Sequence, residues 1–84
     1  MLTYKAKLLG SKIIEPNGSF TRPTYMINLL GEDGETLDLS APEETYHQVA
    51  HLPQLAELTA HLRARIIRTD KGRAFKLSIV EVVE

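Results

Sequence analysis

The stretch Leu58-Thr59-Ala60-His61-Leu62-Arg63-Ala64-Arg65-Ile66 decides the fold. With a period of two, Leu58, Ala60, Leu62, Ala64 and Ile66 fall on one side, and Thr59, His61, Arg63, Arg65 and then Ile67 fall on the other. With a period of 3.6, Leu55, Leu58, Leu62 and Ile66 share a face, but Arg65 comes with them. Only the extended reading keeps every charge off the apolar side, so it predicts a strand. The helical alternative over 54–67 would give an α+β domain instead.

Downstream, Asp70-Lys71-Gly72-Arg73 reads as a hairpin turn, and the β-branched run Phe75–Val83 as the returning strand. Phe75, Leu77 and Ile79 alternate inward, while the doubled Val82-Val83 suggests a bulge or burial on both sides. Upstream, Tyr4, Ala6 and Leu8 alternate with Thr3, Lys5 and Lys7, and Leu9-Gly10 interrupts that pattern as a bulge would. Pro16-Asn17-Gly18-Ser19 and Gly31-Glu32-Asp33-Gly34 are turn signals on either side of a strand over 24–30. A short strand over 35–39 completes a meander. Ser40-Ala41-Pro42-Glu43 has the spacing of a capping box, with Ser40 as cap, and predicts a helix over 41–50 with Tyr46, Val49 and Ala50 on one face. Pro53 limits it.

The order is therefore β-β-β-α-β-β, the plan of a five-stranded OB-like barrel with one short helix, expected to occupy 1–84 as a single domain. At 84 residues and 43% hydrophobic there is room for one core, and disorder is a poor reading. Cysteine is absent, which excludes disulfides, thiol nucleophiles and Cys-based zinc sites. No apolar run nears the ~20 residues that span a bilayer, and Met1-Leu2-Thr3-Tyr4-Lys5 does not read as a secretory signal. A cytoplasmic protein without membrane contact is the expectation.

The formal charge of -1 conceals a division along the chain. Lys5, Lys7, Lys12 and Arg22 make residues 1–30 basic. Glu32, Asp33, Glu35, Asp38, Glu43, Glu44 and Glu57 make 31–57 strongly acidic. Arg63, Arg65, Arg68, Lys71, Arg73 and Lys76 make 58–80 basic again. If the two basic segments meet, a positive face exists despite the neutral sum.

The meander, the segment Ser40-Ala41-Pro42-Glu43-Glu44-Thr45-Tyr46, and the pair Leu58–Arg65 with Lys71-Gly72-Arg73-Ala74-Phe75-Lys76-Leu77 together resemble the compact OB-type single-stranded DNA-binding proteins of bacterial phages and mobile elements. The likeness is one of pattern over most of the chain. It implies a phosphate-tracking basic groove, aromatic platforms and self-association. The residues that fit those roles are Phe20, Arg22, Tyr25, Arg63, Arg65 and Lys76. The acidic middle and the five aromatic residues depart from the family pattern.

Single-strand binders combine a positive groove with rings that stack on bases. Arg63 and Arg65 project together, His61 extends their row, and Lys76 joins from the next strand. Lys12, Lys71 and Arg73 are further phosphate candidates, and Phe20, in a polar loop, and Tyr25 are the ring candidates. Each has a plainer reading: the cations as the solvated face of a strand, Tyr25 as core, Phe20 as a loop anchor. Tyr4 and Phe75 share inward registers and are expected in the core. His47 and His51 are four apart but lack the intervening Glu of a zinc helix, and neither a phosphate loop nor a nucleophile elbow is visible. The expectation is a non-enzymatic binder of single-stranded DNA, or RNA by the same chemistry. It would need no metal or cofactor and would form a homo-oligomer, in the simplest case a dimer. The competing expectation is a protein-interaction domain using an apolar patch of Met26, Leu30, Ile67 and Val82.

Overall fold

The computed structural model describes residues 2–16 and 22–84. Five strands and one helix follow the expected order: β1 (Leu2–Ile14), β2 (Thr24–Gly31), β3 (Thr36–Ala41), α1 (Glu43–Ala50), β4 (Glu57–Thr69) and β5 (Gly72–Val83). The strands close into an OB-like barrel ordered β1-β2-β3-β5-β4. Every contact in the barrel is antiparallel except the seam between β3 and β5, which is a single parallel bridge, Ser40 to Ser78.

The alternation in 58–66 is that of a strand, which excludes a helical 54–67. Leu58, Ala60 and Leu62 join Ala6, Leu8, Ile27, Leu29, Leu39, Ile79 and Val82 in the barrel interior. β1 is long enough to serve two neighbours because it bends at the expected place. Its register with β2 shifts between Leu8 and Gly10, while residues 2–7 pair with β4. The Leu8 peptide is satisfied from the loop after the helix: its N–H donates to the Ala56 carbonyl (2.9 Å), and its carbonyl accepts from the Leu55 N–H (2.6 Å). That grip holds Leu55 at φ 68°, a region a leucine seldom adopts. A second bulge, between His61 and Leu62, leaves Val80 as the extra residue on β5.

Two sequence expectations near the helix are corrected. The third strand runs to Ala41, and Ser40 is part of it, paired with Met26 and Ser78. Strand pairing on both sides removes Ser40 from the cap. The helix begins at Glu43 after Pro42, with no side-chain cap. Its buried face is Thr45 and Val49, with Tyr46 half-buried and Ala50 exposed. Val49 closes one end of the barrel, and the Gln48 Nε2 donates to the Val82 carbonyl at 2.8 Å.

The other end is covered by Tyr4. Its hydroxyl donates to the Glu35 Oε1 at 2.7 Å, above Gly31. A Cβ at Gly31 would collide with both partners, so the ring and the carboxylate depend on a residue without a side chain there. The hydrogen bond holds the neutral phenol, pushing the Tyr4 pKa up to about 12, and it lowers that of Glu35.

The largest departure from expectation lies in the last hairpin. β1 pairs with β4 only as far as Leu62, and β3 meets β5 only at Ser78. Beyond those points β4 and β5 continue as a two-stranded ribbon from the Ala64–Leu77 pair to the Thr69–Gly72 pair, with Gly72 at φ 123° in the turn. The inward alternation persists, but no barrel lies beneath it. Ala64 is exposed, Ile66 is 63% exposed and Phe75 is 78% exposed, so the last two are not core.

Candidate nucleic-acid interface

Directly bridged residues project from the same side of a sheet, so the registers define a row around the outer wall. Lys12 opposes Met26, Met26 opposes Ser40, Ser40 opposes Ser78, and Ser78 opposes Arg63. Four interstrand spacings make this row about 19 Å long. Lys12 and Arg63 are exposed at its ends, and Met26, Ser40 and Ser78 are half-buried between them. Arg65 and its cross-strand partner Lys76 continue the same wall onto the ribbon. The adjacent row, Gly10–Asn28–Asp38, ends in a carboxylate and bounds the strip on that side.

At the seam, where β5 parts from β3, a cavity of about 250 Å³ is lined by Ser40, Pro42, Arg63, Arg65 and Ser78. Two guanidinium side chains and two hydroxyls around one recess form a donor set suited to an anion. A second cavity, of about 700 Å³, is lined by Lys5 and Lys7 together with Glu32, Glu57 and Glu84. Three carboxylates outnumber two ammonium groups, so size alone does not make it an anion site.

The two basic segments thus meet only in part. Lys12 shares a row with Arg63, whereas Lys5 and Lys7 pair with Thr59 and Glu57 further back along β4. Lys71 and Arg73 lie at the ribbon tip, Arg73 opposite Arg68. Arg22 is exposed just before β2, at the far end of the barrel. His61 lies on the outer wall, but its Nδ1 is 3.8 Å from the Glu81 Oε1, a carboxylate that competes with any phosphate. Tyr25 has the inward register of Ile27 and Leu29. Its ring is half-buried and packs against Tyr46 at a centroid distance of 5.1 Å. Partial burial and the negative charges of Glu43 and Glu15 raise its phenol pKa. Phe20 lies outside the described residues. Tyr25 is therefore turned away from the cationic row.

Among the described residues, no lysine or arginine lies within salt-bridge distance of a carboxylate; the two ion pairs present both involve histidine. On the ribbon two like-charged pairs oppose each other directly, Arg65 with Lys76 and Arg68 with Arg73. Such pairs destabilise a hairpin. No group of three His, Asp or Glu residues among those described is placed to hold a metal ion. Among the described residues, no helix is long and apolar enough to cross a membrane.

Sequence reasoning missed the exposure of Phe75, Ile66 and Ala64, and it named the wrong apolar patch. Val82 is buried, Met26 and Leu30 are half-buried, and only Ile67, at 37%, is exposed. Strand length carries no signal, because β1 is as long as β4; only the register, with Leu2 opposite Leu62, leaves residues 63–69 uncovered. Comparisons with protein-family models, curated proteins and solved structures find no match.

Proposed function

We propose that residues 1–84 act as one OB-like domain that binds single-stranded DNA, or RNA by the same phosphate chemistry, without catalysis. The supporting observation is the uncompensated ribbon. Six cations between 63 and 76 share one acidic residue, Asp70, and four of them face each other in like-charged pairs. A polyanion laid along the outer wall relieves the repulsion between Arg65 and Lys76 and releases its own condensed counterions. Arg63, Arg65 and Lys76 hold phosphates at the ribbon root, Lys12 holds one across the barrel, and Lys71 extends the path at the tip, whereas Arg73, in register with Phe75, faces the other side of the ribbon. Met26 and Pro42 give the bases an apolar surface between them.

Fluorescence anisotropy with a labelled oligodeoxynucleotide, titrated at several salt concentrations, tests this. Binding that weakens steeply with salt and prefers a single strand to the matching duplex supports the reading. Undetectable or salt-independent binding overturns it.

A second reading, self-assembly, is favoured by Ile66 and Phe75, which leave a large apolar surface in water. The two readings are compatible because the cationic row and these side chains occupy opposite faces of the ribbon. The expected homo-oligomer belongs to this second reading.

A further inference from the structure

We infer that the ribbon of one copy docks, through the face bearing Ile66, Phe75, Arg68 and Arg73, onto the helix end of a second copy, so that molecules join head to tail.

The ribbon is unfinished as a structure. Neither edge is paired beyond Leu62 and Ser78. Ile66 and Phe75 sit directly opposite each other, exposed, on the face that fills the barrel further down. Arg68 and Arg73, also opposed, lie on the same face one step closer to the tip. A partner for this surface must offer an apolar, preferably aromatic, floor with carboxylates beyond it.

Such a surface lies around the start of the helix. The strand directions point the ribbon tip one way and the end of β1, the start of β2 and the start of α1 the other, with Pro42 at the seam beside the ribbon root. There Tyr25 and Tyr46 meet at 5.1 Å with their planes tilted by 44°, and the His47 ring meets Tyr46 edge-on at 5.5 Å. Glu43 lies 3.4 Å from the His47 Nε2, and Glu44 is exposed beside it. Glu15 adds a third carboxylate, against one arginine, Arg22, at the same end. Phe75 fits the ring cluster, and the two arginines fit the carboxylates.

Within the chain Ile66 and Phe75 remain 63% and 78% exposed, so the ribbon face is not covered by the molecule's own helix end. Two ribbons pressed face to face would bring four arginines together, whereas ribbon against helix end pairs opposite charges. Unlike surfaces joined in this way propagate, so the smallest assembly is a dimer with one ribbon and one helix end still free. The cationic outer row stays uncovered. The contact therefore needs no nucleic acid, and its test is separate from that of the proposed function.

The experiment is sedimentation of the full chain without nucleic acid, over a range of concentration and salt. The wild type is expected to self-associate at low salt and to dissociate as salt rises. Arg68→Glu/Arg73→Glu and Glu43→Lys/Glu44→Lys are each expected to lose at least about tenfold in association constant, since each makes its two surfaces alike in charge. Mixing the two variants restores every contact, native or reversed, and association should return with strict alternation. Phe75→Ser, at an exposed site that leaves folding intact, should weaken the wild-type contact similarly. A monomeric wild type, unaffected variants, or a mixture that fails to associate although both variants keep the native circular dichroism would each overturn the inference. So would loss of association in Glu32→Lys/Asp33→Lys with none in Glu43→Lys/Glu44→Lys, which would put the acceptor at the β2–β3 turn. Short-oligonucleotide affinity, measured on Phe75→Ser, which changes no charge and lies off the outer row, reports on the proposed function alone.

Discussion

Replacing Arg63 and Arg65 together by alanine separates a binding role from a structural one. Lys12, Arg63, Arg65 and Lys76 are the four cations on the outer strip. At about -0.7 per phosphate for a single strand, four contacts give a slope of about -3 for log association constant against log salt. Between about 50 and 200 mM salt, affinity should then fall roughly fiftyfold for the wild type, but only about sevenfold for the double variant, whose slope is about -1.4. The variant should bind more weakly throughout, and most of the deficit should show at low salt. Its thermal midpoint should not fall, because both side chains are exposed and Arg65 directly opposes Lys76. Anisotropy titrations at four salt concentrations, with a melting curve for each protein, measure both quantities. An unchanged slope would refute the assignment of phosphates to this strip. A large drop in melting temperature would show that the arginines hold the fold instead.

Three further outcomes follow from the packing. Tyr4 should be the last tyrosine to ionise, at about pH 12, in an ultraviolet titration, and Tyr4→Phe should remove that late step. The sign follows from the shift: the hydroxyl's contribution is complete below 10.0 and disappears as pH climbs toward about 12. The Glu35 contribution is present above 4.5 and disappears as pH falls through its lowered folded value. Gly31→Ala should displace the Tyr4–Glu35 pair and cost about 1–2 kcal/mol in denaturant unfolding, with less than additive loss when Glu35→Ala is already present. Ile27→Ala, at a position with no exposure, should cost about 2–5 kcal/mol, while Phe75→Ala, despite the larger ring removed, should barely move the denaturation midpoint.

The contrast between Ile27 and Phe75 also marks what the sequence could convey. Alternation tells which side of a strand each residue takes, and it did so correctly for 58–62 and for β1 up to its bulge. It is silent about whether anything lies on that side. Ala64, Ile66 and Phe75 keep the pattern of core residues past the point where β1 starts and β3 departs, so the pattern reads the same on the barrel and off it. Ser40 shows the converse. Its spacing to Glu43 satisfies a capping box, but two neighbouring strands compete for its backbone, and that competition is not local. The cationic row was legible only by halves: Arg63 and Arg65 are neighbours in the chain, whereas Lys12 reaches them through four bridges in four different strand pairs.

The lone bridge at Ser40 and Ser78 has a mechanical consequence. Every other wall is stitched by a ladder of several rungs, so this joint is where the cylinder should part first under thermal agitation. Amide protons of β3 and β5 flanking the joint should exchange with deuterium sooner than those of β1 and β2. A strand of nucleic acid clamped across it would act as a suture, slowing exchange there more than anywhere else in the molecule.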